Sequence, residues 1–318
     1  MLFQLPTPDI SAWRDGNSQV PGVWRFDSGL PGRHVMVSAL VHGNELCGAW
    51  ALKGLLEAGI RPQRGRLTLA FCNLAAFDRF DPQQHDSARF VDEDLNRQWT
   101  PERLEAGGTL ERQRAAELAP FVAEADWLLD LHSMHEPSAP LALTGMQPRN
   151  LALARQMRSP AHVVVDAGHS DGTRMRDFGR FGAADAESDA CALLVECGFH
   201  GALESRSVAQ DQCARFLRLS GILDADTLHR CMPGWEQPDA ARQWALTVTG
   251  AVVARSPDFR FTQAFTGLEV IAQAGTVIGW NGAEPVVTPY DQCVLVMPST
   301  RQAQAGVTVV RFARASPL

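Results

Sequence analysis

The chain has 318 residues, 45% hydrophobic and 20% charged. That is enough for one large domain, or one medium and one small, of an ordinary globular protein. Its formal net charge of −7 excludes the basic excess of a nucleic-acid binder, and no run of about 18 apolar residues is present to cross a membrane as a helix. Met1–Ile10 shows neither a basic start nor an apolar core, so no secretory signal is expected. The seven cysteines are scattered and form no CxxC pair, which argues against a zinc ribbon or redox dithiol and for reduced thiols in the cytoplasm.

Residues 1–22 are polar and punctuated by Pro and Gly, an edge segment open to packing at an interface in a homo-oligomer. Val23–Phe26 and His34–Val41 read as strands around a turn, and Glu45–Ala58 as a helix stopped at Gly59. Arg66–Cys72 is a second short apolar strand. Asn73–Trp99 is long, polar and without period, and such stretches inside a compact domain are usually functional. Thr109–Ala125 reads as an amphipathic helix despite Pro120, and Trp127–His132 as a buried strand. A short strand at Pro140–Thr144, a helix at Asn150–Met157 and a strand at His162–Asp166 follow. A Gly/Arg/Asp-rich loop, Gly168–Gly182, leads to the strand Cys191–Glu196 and the helix Ser205–Leu223. Alternating apolar strands and helices predict an α/β sheet covered on both faces. Past Gly234 the pattern changes to short alternating runs separated by Gly and Pro, which predicts a small all-β C-terminal domain, 234–318, after an α/β domain, 1–233.

Three apolar strands end on residues able to bind a metal or move a proton: His42, His132 and Glu196. Ligands of open α/β sheets bind at the C-terminal ends of the strands. His42 is followed three residues later by Glu45, with Gly43 between them suited to a tight turn. His132 is preferred over His135 as a third ligand because it ends a strand, whereas His135 lies in a Pro-containing loop. His42, Glu45 and His132 give two imidazoles and a carboxylate, the donor set of hydrolytic zinc sites with an open position. Asp130, on the same strand face as His132, is placed to orient an imidazole. Glu196, desolvated at the end of an apolar strand, is the candidate general base and acid. The neighbouring Cys197 is read as a small buried hydrophobe. Arg89–Arg97 carries two guanidiniums and an amide, groups suited to carboxylates, with Phe90, Val91 and Leu95 as apolar anchors. Arg174, Arg176 and Arg180 could add positive charge, and the sequence does not choose among them.

Four motifs in order, His42-Gly-Asn-Glu45, Asp94-Leu-Asn-Arg97, Asp130-Leu-His132 and Glu196-Cys-Gly198, resemble the succinylglutamate desuccinylase/aspartoacylase family, which is related to the zinc carboxypeptidases. The resemblance implies a three-layer α/β/α zinc-hydrolase domain and a C-terminal β domain narrowing the active-site mouth. It implies one zinc per chain on His42, Glu45 and His132, with Glu196 as general base and acid. Arg89 resembles the arginine that polarises the amide carbonyl, and Asn96 and Arg97 the pair that grips a substrate carboxylate. Tyr290, the only tyrosine, resembles a substrate-reaching tyrosine of the C-terminal domain. One departure stands out. A further substrate arginine of the family falls here at Ala186, among Asp185, Glu187 and Asp189, so the acyl or side-chain pocket is expected to differ.

The expectation is therefore a zinc-dependent amidohydrolase that deacylates a small, anionic N-acyl amino acid. A zinc peptidase would need a more open groove than a covering β domain allows. A non-catalytic metal-bound sensor would be expected to lack Glu196 or Arg89.

Overall fold

The structure, a computed structural model, describes residues 3–168, 171–185, 187–301 and 303–318. Its strands are β1 (Val23–Asp27), β2 (His34–Ala39), β3 (Arg66–Phe71), β4 (Trp127–Met134), β5 (Leu141–Leu143), β6 (His162–Val165), β7 (Cys191–Phe199), β8 (Trp244–Val253), β9 (Arg260–Phe261), β10 (Val270–Ile271), β11 (Val277–Asn281), β12 (Glu284–Val287), β13 (Cys293–Val296) and β14 (Thr308–Pro317). Its helices are α1 (Leu46–Glu57), α2 (Leu74–Phe77), α3 (Pro101–Ala106), α4 (Leu110–Glu124), α5 (Pro148–Met157), α6 (Leu203–Ser220) and α7 (Ala225–Cys231). An α/β protein with a β-rich C-terminal region is the class the sequence predicts.

One sheet organises the molecule, in the order β1-β3-β2-β4-β7-β5-β6-β8-β14-β13-β10. At its centre β3, β2, β4 and β7 are parallel. These strands are buried on both faces, which is why they read as unbroken apolar runs. Val35, Val37, Leu129 and Leu131 face a core shared with α1 and α6, whereas Met36 and Leu128 face a core shared with α4. Burying one apolar side chain contributes about 1.5–3 kcal/mol, so a one-residue slip of β2 or β4 would exchange the two faces and is strongly disfavoured. Pro120 sits inside α4, and α6 ends at Gly221 in a left-handed cap (φ 78°).

The C-terminal region, expected as a small all-β domain, is continuous with the central sheet. β8 pairs in parallel with β6, and β14, β13 and β10 follow by antiparallel pairing, so the central sheet continues into this region. Among the described residues, β12-β11-β9 forms the second sheet. The runs Trp244–Val248 and Val252–Arg255 fall largely on one long strand, β8, which pairs with β14 across Gly250 and ends before Ala254 and Arg255. The N-terminal segment packs on the chain itself: Leu5 and Ile10 are buried, and Trp50 donates to the Pro6 carbonyl.

Candidate active site

Leu40 takes a left-handed conformation (φ 56°) just after β2, and the chain leaves the sheet with His42-Gly43-Asn44-Glu45. A tight turn is the sequence rationale for Gly43, but the structure supplies a different one. A Cβ there would lie 2.4 Å from the backbone of Ala76 and Phe77 and 2.6 Å from the Ala88 carbonyl oxygen, so only glycine lets these loops meet. The Gly43 amide donates to the Arg89 carbonyl at 3.1 Å, which ties the His42 turn to the arginine loop.

Glu45 reaches between two rings. Its Oε1 lies 2.8 Å from His42 Nδ1 and its Oε2 2.8 Å from His132 Nδ1. The three side chains are buried, with ligand atoms within 4.8 Å of one another. Each ring is held from behind by a carboxylate: His132 Nε2 is 2.8 Å from Asp130 and His42 Nε2 3.0 Å from Asp94. Ser38 in turn donates to Asp130 at 2.7 Å. Both Nδ1 atoms are thereby aimed at one point, the arrangement metal-binding histidines need. Burial works to raise the Glu45 carboxyl, but the His42 and His132 rings outweigh it and hold it well below the usual carboxylate range. Burial works to lower His132, but Asp130 and Glu45 hold it well above the usual histidine range. Two imidazoles and an ionised carboxylate, buried with their ligand atoms within 4.8 Å of one another, form a donor set that fits a metal cation.

His132 stands directly opposite Glu196 in the parallel β4–β7 register, so the two side chains share one face of the sheet. Glu196 Oε2 is buried and has no hydrogen-bond partner among the described residues. Burial, reinforced by the Glu45 charge and opposed by His132 and Arg89, pushes Glu196 up to about 8.

The long stretch before Trp99 is organised by a residue the sequence does not advertise. Glu111, in the first turn of α4, is fully buried. Its Oε1 accepts from the Val91 amide at 2.7 Å and from Asn73 Nδ2 at 3.0 Å, and its Oε2 from the Asp92 and Glu93 amides at 3.1 and 3.2 Å. So anchored, the loop presents Arg89, Asn96 and Arg97 to the cleft. Arg89 Nη1 donates to Glu45 at 3.3 Å and Nη2 to Asp94 at 3.0 Å, while its Nε is buried without a partner among the described residues. Asn96 Oδ1 accepts from the Met175 amide at 2.9 Å. Arg97 lies 3.4 Å from Asp171 and 3.9 Å from Asp94.

All seven of His42, Glu45, His132, Glu196, Arg89, Asn96 and Arg97 line one cleft of about 460 Å³, walled on its outer side by C-terminal residues that include Met297, Ser299, Val307 and Arg311. Tyr290 is not brought to it. It sits between β12 and β13, its hydroxyl 2.6 Å from Thr249 and its ring under the Arg314 guanidinium, 3.7 Å from the centroid. Of the three undecided arginines only Arg174 lines the cleft, gripped by Asp166 at 2.9 and 3.1 Å and by Asp177 at 2.7 Å. Arg176 pairs with Asp177 beside another pocket, and Arg180 donates to the Ala125 carbonyl. Ala186, where the resemblance predicts a departure, lies outside the described residues. Arg311 and His135, both on the cleft wall, go unassigned by sequence. A charged residue inside the apolar run Val309-Val310-Arg311-Phe312 is the signal that marks the first.

The family model for the succinylglutamate desuccinylase/aspartoacylase catalytic domain matches residues 31–220. The chain belongs to this family. It is accordingly a hydrolase. A probable aspartoacylase from Synechococcus sp. (strain CC9605) is 28% identical over 232 residues, 65% of this chain and 70% of the relative. In fold the family member is similar to the succinylglutamate desuccinylase/aspartoacylase of Rhodobacter sphaeroides, with a TM-score of 0.61 and 20% identity over 91% of this chain and 87% of that one. It is also similar to the product-bound ectoine utilization protein EutE (DoeB) of Ruegeria pomeroyi, with a TM-score of 0.63 and 18% identity over 98% and 92% of the two chains.

Proposed function

We propose that the chain is a zinc-dependent amidohydrolase that removes a small acyl group, of acetyl or succinyl type, from an N-acyl amino acid carrying a free carboxylate. One observation carries this reading: an unpartnered carboxylate oxygen on Glu196 and an unpartnered Nε–H on Arg89 share one cleft with the His42–Glu45–His132 cluster. An acceptor, a donor and a cation site are what amide hydrolysis needs around a carbonyl.

His42, Glu45 and His132 would hold one zinc ion per chain, which when bound supplies Lewis acidity to the carbonyl and brings the pKa of water to about 7. Glu196 takes the proton of the attacking water and hands it to the leaving amine, a task matched by its raised pKa. Arg89 donates to the carbonyl oxygen as negative charge gathers there; one such donor contributes about 3–4 kcal/mol. The Asn96 amide and the Arg97 guanidinium grip the substrate carboxylate. A neutral analogue would forfeit the charge-assisted hydrogen bonds of this grip, about 1.5–3 kcal/mol. Residues 1–233 carry the chemistry and 234–318 cover its mouth. The cleft volume of about 460 Å³ suits a small molecule. No helix among the described residues is long and apolar enough to cross a membrane, and the free thiols support a reducing, cytoplasmic setting.

The test is a hydrolysis screen of the zinc-loaded protein. The panel is N-acetyl, N-formyl and N-succinyl derivatives of Asp, Glu, Arg, Met and diaminobutyrate, reading released amine, with Arg97→Ala in parallel. A strong hit that Arg97→Ala loses supports the reading. Silence across the panel with stoichiometric zinc, or a hit indifferent to Arg97, overturns it.

A further inference from the structure

The cleft holds a histidine that neither the metal cluster nor the proton transfer uses. His135 Nε2 lies 3.3 Å from Arg89 Nη1, and His135 Nδ1 lies 3.1 Å from Asp86 Oδ1. An arginine has donors and no acceptor, so the ring must present its lone pair at Nε2 and its proton at Nδ1, where Asp86 accepts it. The Asp86 carboxylate thus fixes the tautomer that His135 needs to hold a guanidinium. The Arg89 Nη1 protons are thereby shared between two acceptors, Glu45 Oε1 and His135 Nε2, each at 3.3 Å. Without the ring, Arg89 would be drawn by Glu45 and Asp94 alone, toward the metal cluster and away from the His135 side of the cleft. Asp86 has a second partner. Its Oδ2 accepts from Arg301 Nη1 at 3.1 Å, and Arg301 Nε donates to Glu136 at 2.7 Å. Arg301 lies on the β13–β14 connection, whose residues Ser299 and Gly306 wall the cleft.

We propose that Asp86 and His135 are positioning residues that aim Arg89 at the substrate carbonyl, and that Arg301 ties this aim to the C-terminal loop seated on the cleft. The inference rests on the role given to Arg89 under the proposed function. It predicts a loss in kcat and not in substrate binding, because the carboxylate clamp at Asn96 and Arg97 is untouched.

The experiment is steady-state kinetics on the N-acyl amino acid the wild type hydrolyses fastest, with zinc content measured for every variant. The variants are His135→Phe, His135→Gln, Arg301→Gln, Arg89→Lys and the double variant His135→Phe/Arg89→Lys. His135→Phe should lower kcat about tenfold or more, of order the 1.4 kcal/mol a misaimed donor forfeits, with KM and zinc content unchanged. His135→Gln, which keeps an acceptor near the Nε2 position, should recover part of the loss. Arg301→Gln should lower kcat in the same direction by less. In the Arg89→Lys background His135→Phe should add little, since coupled residues are non-additive. Full additivity in that cycle, a change confined to KM, or wild-type kcat in His135→Phe and His135→Gln overturns the proposal. A wild type that turns over nothing, or an Arg89→Lys variant with full activity, instead overturns the functional reading beneath it.

Discussion

Glu111→Gln is the change that most directly tests how this site is held together. Four donors converge on the Glu111 carboxylate: the backbone amides of Val91, Asp92 and Glu93, and the Asn73 side chain. Glutamine keeps one acceptor oxygen and replaces the other with an NH₂ group. Whichever way the amide turns, two donors then face a donor. Each stranded polar group costs about 1–3 kcal/mol, so the substitution removes between about 2 and 6 kcal/mol from the anchored state, a large share of the 5–15 kcal/mol that typically separates folded from unfolded. Releasing residues 89–97 into water offsets part of that cost without unfolding the sheet. The expected result is a lowered Tm, faster limited proteolysis within residues 80–97, and a raised KM, because Asn96 and Arg97 lose their fixed places while His42, Glu45 and His132 keep theirs. A Glu111→Gln protein with wild-type Tm, proteolysis pattern and kcat/KM would refute the reasoning that one buried carboxylate orders this loop.

Glu196→Gln should retain metal at the wild-type level and lose about 10²- to 10⁴-fold in kcat, the usual worth of a positioned acid–base group; elemental analysis beside kinetics reads both. Removing the metal with a chelator should abolish turnover and lower the Tm, since a ligand that binds only the folded state stabilises it, and adding zinc back should restore both. Stability should also fall on acidification. Burial, then the nearby Arg66 and Arg25, lower the His34 pKa from 6.5 to about 4, so the unfolded chain takes up the proton first. This contribution is complete above pH 6.5 and is lost as the pH drops toward 4, by an amount of about 3 kcal/mol. Urea midpoints from pH 7 to 4 should therefore decline less steeply in His34→Gln than in wild type.

The parts of this molecule that were legible in the sequence are those encoded locally. β2, β4 and β7 are apolar runs because both their faces are covered, and a residue whose chemistry is unmistakable follows β2 at His42 and lies within β4 at His132 and within β7 at Glu196. The polar ends His42, Glu45, His132 and Glu196 consequently met where the strand pattern put them. Glu111 was invisible for a physical reason: its partners are backbone amides, which carry no side-chain identity, and it reads as one more glutamate at the start of an amphipathic helix. His135 was weighed only as a rival ligand, because its Asp86 partner lies 49 residues away in a stretch without period. Tyr290 shows the converse. A correct residue type at a plausible place was drawn elsewhere by Thr249 and Arg314, contacts that depend on how β8, β13 and β14 pair. The same long-range pairing carries Arg311 into the cleft and makes the C-terminal strands a continuation of the main sheet.

That continuity bears on how molecules come and go. The strands flanking the chemistry and the strands behind the outer wall belong to a single hydrogen-bonded beam, from β1 across to β10. Swinging the wall open as a door would require peeling β8 from β6 along four paired positions. Access to the cleft is instead set by the connections that hang from the beam, among them the one between β13 and β14, whose Ser299 and Gly306 line it. Shortening or stiffening that single connection is therefore the change that would alter exchange with solvent, while the span beneath it stayed straight.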